Sequence, residues 1–332
     1  MTPTRLLVFE FVSGGGLARE PLPPGLAREG DLMLRALLGD LAELPGLAVV
    51  TTRDPRLPPP VGAQVLTAAP GEDIHALYRR ALARAGAAWP IAPETGGVLE
   101  ELSRITLEEG KVLIGCRPEA VRLAGSKLAT VRALEAAGVP VVPTFGVASE
   151  VPAWPGAWVV KPDDGAGGCD AVVVDGWRVA RERLEAGGSR LVAQPWIPGE
   201  ALSLSLICRG GQARLLACNR QRVRVEEGRP VLSGISVNAV PDSDGRYARL
   251  AQHIAAAIPG LSGYVGVDLI RTGQGLAVLE VNPRITTSYC GLRRALGVNP
   301  AALILGFPSD LGWPEFPPGR CDEIVLEDGC AA

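Results

Sequence analysis

The chain has 332 residues, which is enough for two or three units that share a large apolar interior. The composition, 47% hydrophobic and 21% charged, argues against a disordered protein. Basic and acidic residues nearly balance, at 33 and 36, and no basic run provides the field that nucleic-acid binding uses. We therefore expect a globular protein without a nucleic-acid partner.

Histidine and cysteine usage narrows the chemistry further. With only His75 and His253, a histidine-based triad or a multi-histidine metal site is nearly excluded. Seven cysteines without CxxC spacing predict scattered reduced thiols. No apolar stretch approaches the length of a membrane span, and the N-terminus lacks a signal-peptide cleavage pattern, so we expect a cytoplasmic protein with no membrane partner.

The first third of the chain alternates short apolar strands with helical patterns. This alternation predicts a parallel sheet with flanking helices. The predicted strands and helices, in chain order, are Leu6–Phe11, Gly30–Leu44, Leu47–Thr51, Asp73–Ala85 and Ala87–Ile91.

The middle of the chain begins with a helix predicted over Ser126–Ala137, with Gly138 and Pro140 just beyond its end. Strand patterns then follow one another, which predicts a mostly antiparallel β region. The predicted strands are Val141–Thr144, Trp158–Lys161, Ala171–Val174, Arg190–Gln194, Leu202–Cys208 and Ala213–Asn219. A helix at Ala248–Ile258 precedes two more strands, Gly263–Arg271 and Leu276–Val281.

Two lysines stand where phosphate could select them. Lys161 ends a predicted strand and enters the glycine-rich segment PDDGAGGCD, whose backbone N–H groups could approach phosphate oxygens closely. Lys127 falls in the first turn of its helix, where the helix dipole disfavours a cation. The alternatives are an ordinary glycine-rich hairpin turn and a solvated surface lysine.

The strongest signal is a pair of carboxylates on two neighbouring strands. If Gly273–Gly275 forms a three-residue hairpin loop, Asp268 lies opposite Glu280, with Cβ atoms about 5 Å apart. Asn282, two residues further on, projects from the same face. These oxygens suit Mg²⁺. The alternative is a solvent-facing polar side of the sheet, which is disfavoured because apolar residues occupy the other face.

The segment 192–200, VAQPWIPGE, is a strand followed by a proline-bounded bend. Backbone groups at such a bend can hydrogen-bond the edge of an adenine ring. Pro195 has no N–H, which leaves Trp196 or Ile197 as the donor. An ordinary strand exit with Trp196 in the core is the alternative.

The order of these motifs over residues 110–300 strongly resembles the ATP-grasp superfamily. The segments that carry the resemblance are SKLATVRALEAAGVPVVPT, VVKPDDGAGGCD, QPWIPGE and GVDLI followed by LEVNPRITTSY. The resemblance implies an α/β and α+β fold: an N-terminal parallel α/β domain, a small β-rich lid and a C-terminal antiparallel sheet, with ATP between lid and sheet. We place the N-terminal domain at 1–115, the linker helix and lid at 116–195, the catalytic subdomain at 196–308 and a tail at 309–332.

The resemblance also implies roles for individual residues. Asp268, Glu280 and Asn282 would bind one or two Mg²⁺ ions, for which Mn²⁺ could substitute. The family usually has a glutamate two residues after the hinge glycine, whereas here Glu200 directly follows Gly199, so its role at the ATP ribose is doubtful. The residues expected to bind ATP are Lys127, Lys161, Asp164, Gly165, Gly167, Gly168, Gln194, Pro195, Ile197 and Glu200.

Three further segments resemble the tyramine–glutamate ligase group of methanofuran biosynthesis. They are FEFVSGGG near the N-terminus, the run Asn219–Gln221, and the run Glu280–Tyr289. This resemblance implies glutamate as the activated acid and tyramine or a related amine as the acceptor. Arg284 would hold the acid or acyl phosphate in a bidentate fork, with a structural arginine at the sheet end as the alternative. The remaining expected substrate residues are Arg220, Thr286, Ser288 and Tyr289.

The implied reaction joins a small-molecule carboxylate to an amine. The carboxylate attacks the γ-phosphate of ATP, giving an acyl phosphate and ADP, and the amine then attacks the acyl carbon; Lys161 and Arg284 are the expected catalytic residues. Two alternatives stay open: an ATP-grasp ligase for another amino acid or peptide, and a nucleotide-binding regulatory protein without turnover. A homodimer is compatible with each of them.

Overall fold

The structure, a computed structural model, describes residues 4–151, 154–165, 170–306 and 320–331, with side chains up to residue 326. The first third forms a five-stranded parallel sheet in the order β3-β2-β1-β4-β5, as the alternating pattern predicts. Its strands are β1 Thr4–Glu10, β2 Leu47–Arg53, β3 Gln64–Thr67, β4 Ala87–Ile91 and β5 Val112–Leu113.

Three helices flank this sheet: α1 Pro24–Leu41, α2 Ile74–Leu82 and α3 Val98–Glu108. Helix α1 starts six residues before the predicted Gly30, because a proline at the first helical position needs no N–H partner. Asp73 caps α2, since its side chain accepts hydrogen bonds from the N–H groups of His75 and Ala76. Strands β3 and β5 and helix α3 are absent from the sequence prediction.

Two linker helices, α4 Pro118–Gly125 and α5 Lys127–Ala136, lead to the next sheet. The predicted limits of α5 are confirmed: Ser126 Oγ accepts from Ala129 N at 3.1 Å, and Gly138 has a φ of 72°. The strand predicted at Val141–Thr144 is wrong, because this segment makes only an isolated bridge through Val141.

The lid is a three-stranded antiparallel sheet in the order β7-β6-β8, covered by one helix. Its elements are β6 Ala157–Pro162, β7 Val172–Asp175, α6 Gly176–Gly187 and β8 Leu191–Pro195. Trp158 and Leu184 are buried in a small separate core between sheet and helix. Helix α6 is not predicted from the sequence.

The C-terminal part is a six-stranded antiparallel sheet in the order β13-β12-β9-β10-β11-β14. Strand β14 lies within the predicted tail and pairs with β11. The sequence prediction omits β11, β14, α8 and α9. The elements are β9 Glu200–Arg209, β10 Gln212–Glu226, β11 Arg229–Val237, α7 Arg246–Ala257, β12 Gly263–Thr272, β13 Gly275–Asn282, α8 Tyr289–Leu296, α9 Pro300–Leu305 and β14 Asp322–Ala331.

The six-stranded sheet has one apolar and one largely polar face. Leu202, Val267 and Leu269 point to the side where helix α7 packs, and they are fully buried in a core shared with the parallel sheet. Side chains one residue out of step, such as Ser203 and Asp268, point to the opposite face. No helix in the described part of the chain is both long and apolar enough to cross a membrane.

Candidate active site

A cavity of about 740 Å³ lies between the lid and the polar face of the six-stranded sheet. It is therefore where a ligand would contact both sheets at once. The cavity collects most of the side chains proposed from the sequence: Lys127, Lys161, Gly165, Gln194, Pro195, Ile197, Glu200, Asp268, Glu280, Asn282, Arg284, Thr286 and Ser288.

The central carboxylates pair as predicted, but through a different turn. Thr272 pairs with Gly275, so the hairpin loop has two residues and the predicted three-residue loop is wrong. A bulge at Leu279 shifts the register by one residue and restores the pairing of Asp268 with Glu280. Without the bulge, residue 279 would stand opposite Asp268.

Asp268 is held by two amide side chains. Its Oδ1 accepts from Gln221 Nε2 and its Oδ2 from Asn282 Nδ2, each at 2.9 Å. Burial and the neighbouring Glu280 raise the pKa of Asp268 to about 7. Gln221 is a site residue that the sequence analysis does not assign, although it lies in the run Asn219–Gln221 and alternates onto the face of Asn219.

Glu280 lies beside two ammonium groups. Its Oε2 is 3.6 Å from Lys127 Nζ and 3.8 Å from Lys161 Nζ. Burial favours the neutral acid, but the two lysines outweigh it and hold the pKa of Glu280 below its usual value. Burial also lowers the pKa of Lys161 to about 8, although Glu280 opposes this shift. The two lysines provide the positive charge that a phosphate chain needs.

Lys127 is buried, in contrast to the solvated alternative. Its Nζ donates to Gly165 O at 2.5 Å and so contacts the loop that follows β6. The carboxylate of Asp163 accepts from Ser126 Oγ at 2.6 Å and from Leu128 N at 2.9 Å. The start of α5 therefore anchors the lid loop.

Asp164 does not line the cavity. Its carboxylate accepts from Gly96 N at 3.0 Å and its carbonyl from Thr95 Oγ1 at 2.9 Å, so this residue joins the lid loop to the N-terminal sheet domain. Gly167 and Gly168 lie outside the described residues. The predicted phosphate contacts of this loop stay a prediction.

The segment proposed for adenine lies at the exit of β8. Gln194 is buried and donates to Thr144 Oγ1 at 2.8 Å. The N–H of Trp196 donates to Ala157 O at 2.8 Å, so of the two candidate donors only Ile197 is left for a ligand. Trp196 is 37% exposed, which contradicts the alternative of a core tryptophan.

Glu200 lines the cavity, but its carboxylate is paired. Oε1 accepts from Arg220 Nε at 2.5 Å, and Oε2 accepts from Arg271. Arg220 alternates with Gln221 along β10 and so lies on the opposite sheet face from Asp268. The structure thus separates Arg220 from the substrate cavity, and it gives Glu200 two partners in place of a free carboxylate for a ribose.

The other end of the cavity is formed by the segment after β13. Arg284 Nε donates to Glu94 Oε1 at 3.0 Å, and its Nη1 donates to Ile285 O at 3.3 Å. Glu94 is buried and follows β4 of the parallel sheet. Because Arg284 and Glu94 are 190 positions apart, the sequence analysis gives no indication of this pair.

Tyr289 is a structural residue rather than a substrate contact. Its hydroxyl donates to Asp40 Oδ2 at 2.7 Å, and its ring packs edge-on against Tyr264. The side chain is 1% exposed and lies between α1 and the sheet. The neighbouring Thr286 and Ser288 do line the cavity and hydrogen-bond each other at 3.0 Å.

Comparison with known protein families agrees with this geometry. The ATP-grasp domain matches residues 124–288, and the pre ATP-grasp 3 domain matches residues 47–121. The chain belongs to the ATP-grasp superfamily. The matched regions contain the lysines, the carboxylate pair and Arg284.

Two curated relatives of this ATP-grasp protein are both named tyramine–L-glutamate ligase. The Methanocaldococcus jannaschii protein is 32% identical over 203 residues, which are 61% of this chain but only 57% of the relative. The Methanocaldococcus fervens protein is 27% identical over 292 residues, 87% of this chain and 89% of the relative. Family and relatives support an ATP-dependent ligase that forms carbon–nitrogen bonds.

A solved structure supports the fold. A crystal structure of an ATP-grasp superfamily protein from Archaeoglobus fulgidus superimposes with a TM-score of 0.73 at 22% identity, covering 97% of this chain and 92% of the other. The similarity extends over the parallel sheet, the lid and the six-stranded sheet. The predicted fold class is thereby confirmed.

The donors at the centre of this ATP-grasp site fit Mg²⁺. The described residues contain no group of three His, Cys, Asp or Glu side chains arranged for a metal. Mg²⁺ needs no such group, because it keeps several waters and takes oxygens from substrate phosphates beside one or two carboxylates. A divalent cation would also offset the repulsion between Asp268 and Glu280, which adds to the effect of burial in raising the pKa of Asp268.

The Glu94–Arg284 pair gives a testable expectation for stability. Glu94→Gln should lower the free energy of unfolding by about 3 kcal/mol, because the guanidinium is left buried without its counter-charge. Glu100→Gln is the matched control: its partner Arg122 is 70% exposed and screened by solvent, so this variant should lose clearly less stability than Glu94→Gln. Urea unfolding of both variants measures the change in the free energy of unfolding. Equally small decreases in the two variants would show that Glu94 does not stabilise Arg284.

Proposed function

We propose that this ATP-grasp protein is a carboxylate–amine ligase that works through an acyl phosphate. The observation that carries the proposal is one cavity in which two largely buried lysines and two facing carboxylates adjoin an arginine and hydroxyl groups. The carboxylates match the charge of Mg²⁺, and the lysines match the charge of the triphosphate. The arginine and the hydroxyl groups can hold a carboxylic acid next to them. ATP and Mg²⁺ are the cofactors of the family.

Each part of the cavity has a role in this reaction. Lys127 and Lys161 hold the phosphates and balance charge on the transferring phosphoryl group. Arg284 orients the acid so that one carboxylate oxygen attacks the γ-phosphorus and the bond to ADP breaks. Asp268 and Glu280, with Asn282, would hold Mg²⁺, which would neutralise charge at the phosphates. The lid excludes water, which would hydrolyse the acyl phosphate.

For the substrates we propose glutamate and tyramine, or a related phenolic amine. These are the substrates of the ligase group that acts in the biosynthesis of methanofuran, a one-carbon carrier. The support is the name shared by both curated relatives and the run from Arg284 to Ser288 beside the carboxylates. Both proposed substrates are small molecules. We place the protein in the cytoplasm and expect Mn²⁺ to be able to substitute for Mg²⁺.

The substrate proposal predicts a stoichiometric product. Protein, ATP, Mg²⁺, glutamate and tyramine should give ADP and the amide in equal amounts, measured by coupled ADP release and mass spectrometry. Omitting either substrate should abolish the amide. ADP release with only a different acid and amine would retain the ligase class and rule out this substrate pair.

The guanidinium shape should matter as much as its charge. Arg284→Lys is expected to raise the KM for the acid about tenfold or more, because lysine cannot form the planar two-point contact with a carboxylate. The KM for ATP should change much less. An unchanged KM for the acid would remove Arg284 from the acid-binding role.

A further inference from the structure

Glu29 is a cavity carboxylate to which the proposed reaction gives no role. Among the described residues that line the cavity, the carboxylates are Glu29, Glu200, Asp268 and Glu280. Glu200 is paired with two arginines, Asp268 is held by two amide side chains, and Glu280 lies beside the two lysines. Glu29 differs from these three because it comes from α1 of the N-terminal domain.

The position of Glu29 is fixed at the acid-binding end of the cavity. The hydroxyl of Thr287 donates to Glu29 Oε1, and Thr287 lies three residues beyond Arg284. Glu29 also adds to the field at Arg284: despite burial, the pKa of that guanidinium is raised, chiefly by Glu94 and further by Glu29. Glu29 and Arg284 therefore place a negative and a positive group at one end of the site.

The local packing of α1 explains why Glu29 stays there. Its neighbour Gly30 lies against the buried carboxylate of Glu10 at the end of β1; a Cβ on residue 30 would be 2.6 Å from Glu10 Oε2. Glycine thus lets the helix approach the sheet edge. The N–H groups of Val12 and Ser13 donate to the Glu10 carboxylate and fix its position. The backbone next to Glu29 therefore packs against a carboxylate that is itself held in place.

We propose that Glu29 binds the ammonium group of the amine substrate and accepts its proton. This inference rests on the proposed ligase function. An ammonium cannot attack, because its nitrogen has no free electron pair. Proton transfer to Glu29 frees that pair; the nitrogen then forms a bond to the acyl carbon while the bond from that carbon to the phosphate oxygen breaks. The second N–H proton leaves with the phosphate.

The recognition chemistry follows from this arrangement. The amine substrate must carry a primary ammonium, and the acid must reach Arg284 with its carboxylate. Neutral nucleophiles already have a free electron pair, so they need no proton acceptor before the attack and no anionic contact, and their N–H proton leaves with the phosphate. Hydroxylamine is such a nucleophile near neutral pH, and it traps acyl phosphates as hydroxamates, so it reports acid activation without the amine site.

The test compares amide and hydroxamate formation in Glu29→Gln. Amide formation from tyramine should fall about 100-fold, while hydroxamate formation from glutamate, ATP and hydroxylamine should stay near the wild-type rate. Glu135→Gln, an exposed glutamate on α5, is the matched control and should change neither rate. Residual amide formation by Glu29→Gln should rise with pH as the free amine becomes more abundant.

The outcomes separate the two proposals. Equal loss of both products in Glu29→Gln, or loss of neither, would overturn the role of Glu29 and leave the ligase function standing. If the wild-type protein forms neither product, the ligase proposal itself fails. Should Glu29→Gln not fold, Glu29→Asp and Glu29→Asn form a second pair of equal size, of which Asp should retain more amide formation; equal rates would contradict the proposal.

Discussion

Asp268→Asn is expected to lower turnover on the order of 100- to 1000-fold while the fold is retained. The substitution removes a charge from the proposed metal site but little volume. The substitution stabilises the fold by ending the repulsion between residue 268 and Glu280 in a buried site. It also destabilises the fold, because one of the two amide groups that donate to Asp268 loses its acceptor. ADP release measures turnover, and thermal unfolding should place the melting temperature within a few degrees of wild type.

Glu280→Gln should lose activity to the same extent but be less stable. It removes the counter-charge from Lys127 and Lys161, which are both largely buried. Mg²⁺ and ATP should raise the melting temperature of the wild-type protein, since a ligand that binds the folded state stabilises it. The increase should be smaller in both carboxylate variants. Wild-type turnover in either folded variant would refute the metal assignment.

Lys161→Ala is expected to raise the KM for ATP about 10- to 100-fold and to lower turnover. Lys161 provides a charge next to Glu280, and a charge-assisted contact to phosphate is among the stronger hydrogen bonds available to a protein. The apo protein should lose little stability, because burial already lowers the pKa of this ammonium to about 8.

The chain contains a matched control for this experiment. Lys111 lies after α3 and does not line the cavity, so Lys111→Ala should leave the KM for ATP unchanged. A comparable increase in KM in both variants would indicate a general charge effect rather than a phosphate contact. Cys169→Ser, eight positions after Lys161 in the sequence, is likewise expected to have little effect.

The rarity of lysine is a further sequence signal for the site. The chain has 33 basic residues, of which only Lys111, Lys127 and Lys161 are lysines. Two of these three line one cavity. Where arginine serves nearly every other basic position, a retained lysine indicates a position that needs a compact point charge, such as a phosphate contact.

Local patterns predict the central site because its geometry follows from strand alternation. Asp268, Glu280 and Asn282 share a face for any hairpin register that places the first two opposite each other. The turn itself could not be deduced, since a two-residue loop with a bulge gives the same pairing as a three-residue loop without one. The predicted substrate contacts of Arg220 and Tyr289 are not seen for a related reason. Each residue lies in a run that resembles the ligase group, but the direction of its side chain depends on tertiary packing.

The contacts between domains could not be predicted from the sequence. Glu94 and Glu29 reach Arg284 and Thr287 across 190 and 258 positions, and no periodicity encodes such contacts. The sequence patterns do not predict helices α3 and α6, although each helix is amphipathic, because the surrounding strand signals dominate. The parallel sheet and α5 are recovered well, since both depend on short-range patterns and helix-end residues.

The central claim is that a substrate carboxylate attacks ATP to form an acyl phosphate in this cavity. It can be tested by following oxygen from the acid. With both carboxylate oxygens of the acid labelled with ¹⁸O, turnover in the presence of the amine should place one ¹⁸O in each inorganic phosphate released, detected by mass spectrometry. Phosphate without ¹⁸O, or label in AMP instead, would contradict the account.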